Sequence, residues 1–178
     1  MQHILVFGAP GAGSTTFAQE LAAKVQLPCH DLEDFFSAPK KEFYPRPQVE
    51  SETERFYKTL KEQSQWILSG SIALWDTEIT ELLHGVIYLQ MIRTKRLQRL
   101  KEREIQKHGE KIADSSTKEF KSFNQYMYWA SQFDQGGLER ESKILHENWL
   151  SKRECPVLRL DASLPLEQSL STVLEEWF

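Results

Sequence analysis

The chain has 178 residues, a formal charge of −4 and a pI near 5.8. That length fits one domain with a sizeable core, and the acidic balance argues against a nucleic-acid surface as the main partner. No apolar run approaches a membrane span, the start does not resemble a signal peptide, and two cysteines make neither a disulfide framework nor a zinc site, so the expectation is a cytoplasmic protein with reduced thiols and no membrane partner.

The first predicted strand, Ile4–Phe7, runs into Gly8-Ala9-Pro10-Gly11-Ala12-Gly13-Ser14-Thr15-Thr16. A phosphate-binding loop has Gly, four residues, Gly, Lys and then Ser or Thr, between a buried strand and a helix. Gly8 and Gly13 occupy the glycine positions and Thr15 the hydroxyl position, while Ser14 stands where the lysine belongs. The helix over Ser14–Val25 carries Phe17, Leu21 and Val25 on one face. Such a loop turns backbone N–H groups inward, so Gly11, Ala12, Gly13, Ser14, Thr15 and Thr16 are candidate phosphate contacts. Thr15 also offers a hydroxyl to magnesium. Without the lysine, the site is either weakened or supplied with a cation from elsewhere.

A second strand, Pro28–Asp31, leads into three carboxylates: Asp31, Glu33 and Asp34. They lie at the carboxyl end of a strand, the edge where open α/β sheets bind ligands. One could hold magnesium, with Asp31 and Thr15 the metal candidates, and another could take a proton from an acceptor hydroxyl; Asp31 or Asp34 could equally cap the next helix. The irregular stretch Ser37–Val49, with three prolines, is long enough to carry binding residues or act as a lid, unless it is a plain surface connection. A helix over Ser51–Gln63 and a strand over Trp66–Ser69 follow, the strand ending in Ser69 where many phosphate-loop enzymes have aspartate.

A short helix over Ile79–Leu83 precedes a strand over Val86–Gln90, and a helix over Thr94–Lys107 comes next. Between Arg93 and Lys111 stand eight basic and three acidic residues. Arg96, Arg99 and Arg103 share one helix face, either a solvated basic face or the cation the loop lacks. A helix over Lys118–Phe133 bears a core stripe of Phe120, Phe123, Met127 and Ala130. In the helix over Arg140–Ser151, Arg140 and His146 are either acceptor-pocket residues or, for His146, a partly exposed helix position; Gly137 ends the helix before it. A strand over Val157–Leu160 and a helix over Leu166–Trp177 close the chain. Strands alternating with helices indicate an α/β fold on a parallel sheet.

With these residues in place, the chain resembles the P-loop nucleoside and small-molecule kinases, such as adenylate kinase and shikimate kinase. Within them it is most similar to bacterial adenylate-kinase-like proteins, also labelled "AAA family ATPase", whose loop lacks the lysine. The resemblance is carried by Gly8–Thr16, His30–Phe35, Arg46, Trp66–Trp75, Arg96–Ile112, Phe133–Gly137, Ser142, His146–Leu150 and Cys155–Asp161. It implies a three-layer P-loop NTPase fold, with a five-stranded parallel sheet in the order 2-3-1-4-5 and helices on both faces. That order would separate Cys29 from Cys155 by about four strand spacings, too far for a disulfide. The resemblance further implies ATP and Mg2+ as cofactors, an acceptor-binding segment over 37–63 and a lid region over about 104–150. Arg99 and Arg103 would touch the nucleotide. Lys40, Lys41, Arg46 and Arg55 would contact a small anionic acceptor, such as a nucleoside monophosphate, and Asp31 would be the base or metal contact. The lost lysine keeps open a catalytically degenerate nucleotide-binding protein, or an NTP hydrolase. The oligomeric state stays open.

Overall fold

The computed structural model describes residues 3–36, 49–75 and 78–178. Five parallel strands, β1 (His3–Gly8), β2 (Cys29–Asp31), β3 (Trp66–Ser69), β4 (Gly85–Gln90) and β5 (Val157–Asp161), lie in the order β2-β3-β1-β4-β5. The helices are α1 (Ser14–Val25), α2 (Glu50–Lys61), α3 (Ile79–Leu82), α4 (Arg93–His108), α5 (Lys118–Ser131), α6 (Lys143–Leu150) and α7 (Leu166–Trp177).

The pleat of the central strand divides the core. Leu5 and Phe7 point to one face and pack with Phe56 and Leu60 of α2 and Trp149 and Leu150 of α6. Ile4 and Val6 point to the other, against Phe17, Ala18 and Leu21 of α1 and Leu170 and Val173 of α7. Both faces of the sheet are therefore covered, which is why β1 reads as a continuous apolar run rather than an alternating one. Register matters at one place above all: Asp31 at the end of β2 is paired with Ser69 at the end of β3.

Three expectations are corrected. The helix expected to start at Arg140 begins at Lys143, because the Ser142 hydroxyl accepts from Leu145 N at 3.0 Å and so caps it there. The helix before it stops at Ser131, and a 3-10 turn over Phe133–Gln135 is followed by Gly136, not Gly137. The stripe on α5 is not core: Phe120, Phe123 and Met127 are only half-buried and Ala130 alone is buried, because α5 packs chiefly on α4 and leaves its outer side to solvent. Cys29 on edge strand β2 and Cys155, two residues before the opposite edge strand β5, are both free thiols.

Candidate functional site

The loop after β1 is shaped by its glycines. Gly11 and Gly13 have φ of 84° and 94°, the left-handed region that L side chains avoid. At Gly11 a side chain would also stand 2.6 Å from the Arg96 carbonyl oxygen, so the backbone of α4 lies directly against the loop. Gly13 opens α1 without a side-chain cap, and no acidic residue stands in the first turn. The first turn of α1 therefore brings neither a cap nor an acid of its own to the helix's positive end, the arrangement in which N–H groups are open to a phosphate.

Two spaces open on this loop. A cleft of about 410 Å³ runs from Gly11–Phe17 past Arg99 and Arg103 to Leu164 and Leu166. A smaller cavity of about 120 Å³ lies on the other side, between Gly8, Ser14, Thr15, Asp31, Glu33 and Ser71, with Arg103, Tyr126 and Trp129 along its wall. The loop residues Gly11, Ser14 and Thr15 line both, while Ala12, Gly13 and Thr16 line the larger.

At the boundary, Thr15 Oγ1 donates to Asp31 Oδ2 at 2.9 Å, and Ser69 Oγ donates to the same oxygen. Asp31 Oδ1 accepts from Glu33 N at 2.9 Å, and Asp34 Oδ2 accepts from Asp31 N at 3.2 Å, a reciprocal cap on the turn Leu32–Asp34. Asp31 thus caps the turn, and its other oxygen faces the loop. Ser69, which on sequence alone is a missing aspartate, supports the aspartate of the neighbouring strand.

Arg96, Arg99 and Arg103 of α4 diverge. Arg96 is fully buried, which corrects its placement on a solvated face. Arg99 is exposed, and a Cβ at Gly13 would be 3.9 Å from its Nη1, so its charge stands beside Gly13, and it lines the larger cleft together with Ser14, the residue at the lysine position. Arg103 Nη2 donates to Tyr126 Oη at 2.8 Å and its Nε to Glu104 Oε1 at 3.3 Å. Tyr126 in turn stacks on Trp129, with ring centroids 5.7 Å apart. Burial pushes the Tyr126 hydroxyl above its ordinary pKa, with Arg103 pulling the other way.

Other candidates fall elsewhere. Arg55 Nη2 donates to Asp34 O and Phe35 O at 2.9 Å each, bracing the acidic turn from α2. Arg140 is exposed beside Glu139 and is not among the residues lining either space. Arg46, Lys40 and Lys41 lie outside the described residues. His146 is neither partly exposed nor at the cavity wall: it is 0% exposed, its Nε2 is 2.5 Å from Glu141 Oε2 and 3.3 Å from Ser71 Oγ, and Phe7 and Phe133 flank its ring. Both Ser71 and Glu141 meet the same ring nitrogen, so the trio is not the relay of a hydrolase triad, which uses both nitrogens of the imidazole. It ties α6 to the end of β3 instead. Ser71, Tyr126 and Trp129 escape a sequence reading because nothing local marks them; only packing brings them to the loop.

No family model matches the chain. It is 26% identical over 174 residues to the uncharacterized protein YqaC of Bacillus subtilis (strain 168), an alignment covering 98% of this chain and 96% of that protein. Among solved structures it is similar to a deoxyadenosine kinase from M. mycoides with bound dATP (TM-score 0.56, 17% identity, 98% of each chain). It is likewise similar to a shikimate kinase from Bacteroides thetaiotaomicron (TM-score 0.53, 17% identity, 98% of this chain and 97% of that one). A third is YorR of Bacillus subtilis in complex with phosphorylated GDP (TM-score 0.55, 12% identity, 98% and 94%). At these identities the likeness shows the fold, and that fold is the P-loop kinase fold.

Proposed function

We propose that the chain is a small ATP-dependent kinase, moving a phosphoryl group to a small acceptor across the boundary between the two spaces on the loop. The observation that carries this reading is the start of α1, with no cap or acid in its own first turn, and Thr15 within it joined to Asp31 and Ser69. In it the chain is one domain, with 37–63 receiving the acceptor and about 104–150 acting as lid.

The donors fit magnesium. Thr15 and Asp31 offer hard oxygens 2.9 Å apart, and no group of three or more His, Cys, Asp or Glu among the described residues could hold a metal alone. That suits an ion that keeps waters and shares phosphate oxygens. When bound, the ion would neutralise phosphate charge. The chain's own part is alignment: the N–H groups of Gly11–Thr16 bind the phosphates, Arg99 supplies the charge that Ser14 does not, and Arg103 leans over the loop from Tyr126. Asp31 holds the ion or takes the acceptor proton, with Glu33 and Asp34 on the acceptor side. The dATP bound to the M. mycoides neighbour supports a nucleotide as ligand of this fold, and we place it in the larger cleft. An anionic acceptor, such as a nucleoside monophosphate, rests on Arg103 and on Lys40, Lys41 and Arg46 outside the described residues, since Arg55 faces backbone carbonyls, Arg140 stands beside Glu139 and His146 is buried.

One observation favours a second reading. Ser14 carries no charge to the terminal phosphates, and a neutral hydrogen bond contributes about 1 kcal/mol against about 1.5–3 for a charged one. A nucleotide-binding protein without catalysis would tolerate that, and so would a slow NTP hydrolase. Calorimetric titration with ATP, with and without magnesium, tests the proposal. Micromolar, magnesium-dependent binding supports it, and no binding at millimolar ATP overturns it. Release of phosphate from bound ATP without an acceptor would favour the hydrolase.

A further inference from the structure

Arg96 joins four groups while fully buried. Its Nη1 donates to Pro10 O at 3.0 Å, its Nε to Met91 O at 3.2 Å, and its Nη2 pairs with Asp134 Oδ2 at 2.5 Å. The guanidinium carbon lies 5.2 Å from the centre of the Phe133 ring. A charge this deep is tolerated only when paired and hydrogen-bonded throughout, and here its hydrogen bonds reach the phosphate loop itself.

Pro10 belongs to that loop, and the peptide bonds of the described residues are trans, so the Pro10 carbonyl and the Gly11 N–H point in opposite directions. Arg96 and Asp134 line a separate cleft along β4 and neither lines the two spaces of the phosphate site, both of which Gly11 lines. Holding the carbonyl from behind therefore turns the Gly11 N–H toward the anion.

We propose that Arg96 and Asp134 are a positioning pair for the phosphate loop: Arg96 orients the Pro10–Gly11 peptide, and Asp134 keeps the Arg96 guanidinium directed and in place. The inference rests on the phosphate-loop reading above and adds a coupling to it. Asp134 sits in the turn after α5, so the docking of that turn sets how well the loop receives phosphate.

The test uses the full chain and inorganic tripolyphosphate, which probes the loop without a base pocket. Asp134→Asn keeps shape and removes charge; Asp134→Glu keeps charge and changes shape. Both are measured well below their melting temperatures, together with the 15N order parameters of Gly11 and Ala12. Asp134→Asn is expected to weaken tripolyphosphate about tenfold and to lower those order parameters, while Asp134→Glu stays within about threefold of the parent. If Asp134→Glu is the weaker of the two, packing and not charge is at work and the proposal fails. It fails also if Asp134→Asn, fully folded, changes neither quantity. A parent protein that binds no tripolyphosphate, but whose loop loosens in Asp134→Asn, would leave the positioning pair standing and overturn the phosphate reading instead.

Discussion

Thr15 and Asp31 carry most of the weight at the level of single residues. Thr15→Ala removes both a donor to Asp31 and the hydroxyl proposed for the metal, and should lower magnesium-dependent ATP affinity about tenfold or more by calorimetry. Asp31→Ala should do the same and in addition cost about 1 kcal/mol in urea denaturation, because the same side chain caps the following turn. Cys29, beside them on β2, has its thiol pushed from about 9 to about 11 by burial and then by the Asp31 and Asp34 carboxylates. At pH 8 its alkylation should run about a hundredfold slower than that of free cysteine, read by mass spectrometry. The sign for stability follows: the folded thiol holds its proton longer than the unfolded one, so its contribution is intact below about pH 9 and is lost as pH rises through about 11.

Among the elements, α4 and α6 decide what the loop can do. Because α4 lies against Gly11, Gly11→Ala meets both a left-handed backbone and the Arg96 carbonyl, and should cost about 1–3 kcal/mol by denaturation along with polyphosphate binding. The basic face of α4 was legible in its spacing, but its three arginines were not separable there. Spacing reports a face and not what covers it; a turn over 133–135 buries Arg96 while leaving Arg99 and Arg103 at the site. α6 is fastened by the Ser71–Glu141–His146 cluster, with Glu141 5% exposed. Removing the ring with His146→Ala leaves Glu141 with only Ser71, and should cost about 3–5 kcal/mol in urea denaturation.

For the whole molecule, protection should follow burial. Hydrogen exchange is expected to be slowest in β1 and β4, which are covered on both faces, and, among the helices longer than the single turn of α3, fastest in α5, where only Ala130 is buried. If α5 exchanges as slowly as β1, its half-buried stripe is better shielded than its contacts indicate. Saturating ATP with magnesium should raise the melting temperature, as any ligand of the folded state alone does, and should slow exchange in α4 and α5 most.

The sequence by itself determined the strand order's raw material: five short apolar runs, the glycine spacing of the loop, and a threonine followed by acids at the next strand's end. These are local signals, because periodicity and left-handed backbone demand particular residues at particular places. Tertiary structure alone decided that Ser69 supports Asp31, that Arg96 reaches Pro10, that Tyr126 and Trp129 wall the small cavity, and that His146 is sealed in the core. Each of these joins residues far apart in the chain, and a side chain's burial and partners are set by what the fold brings against it, which no local pattern records.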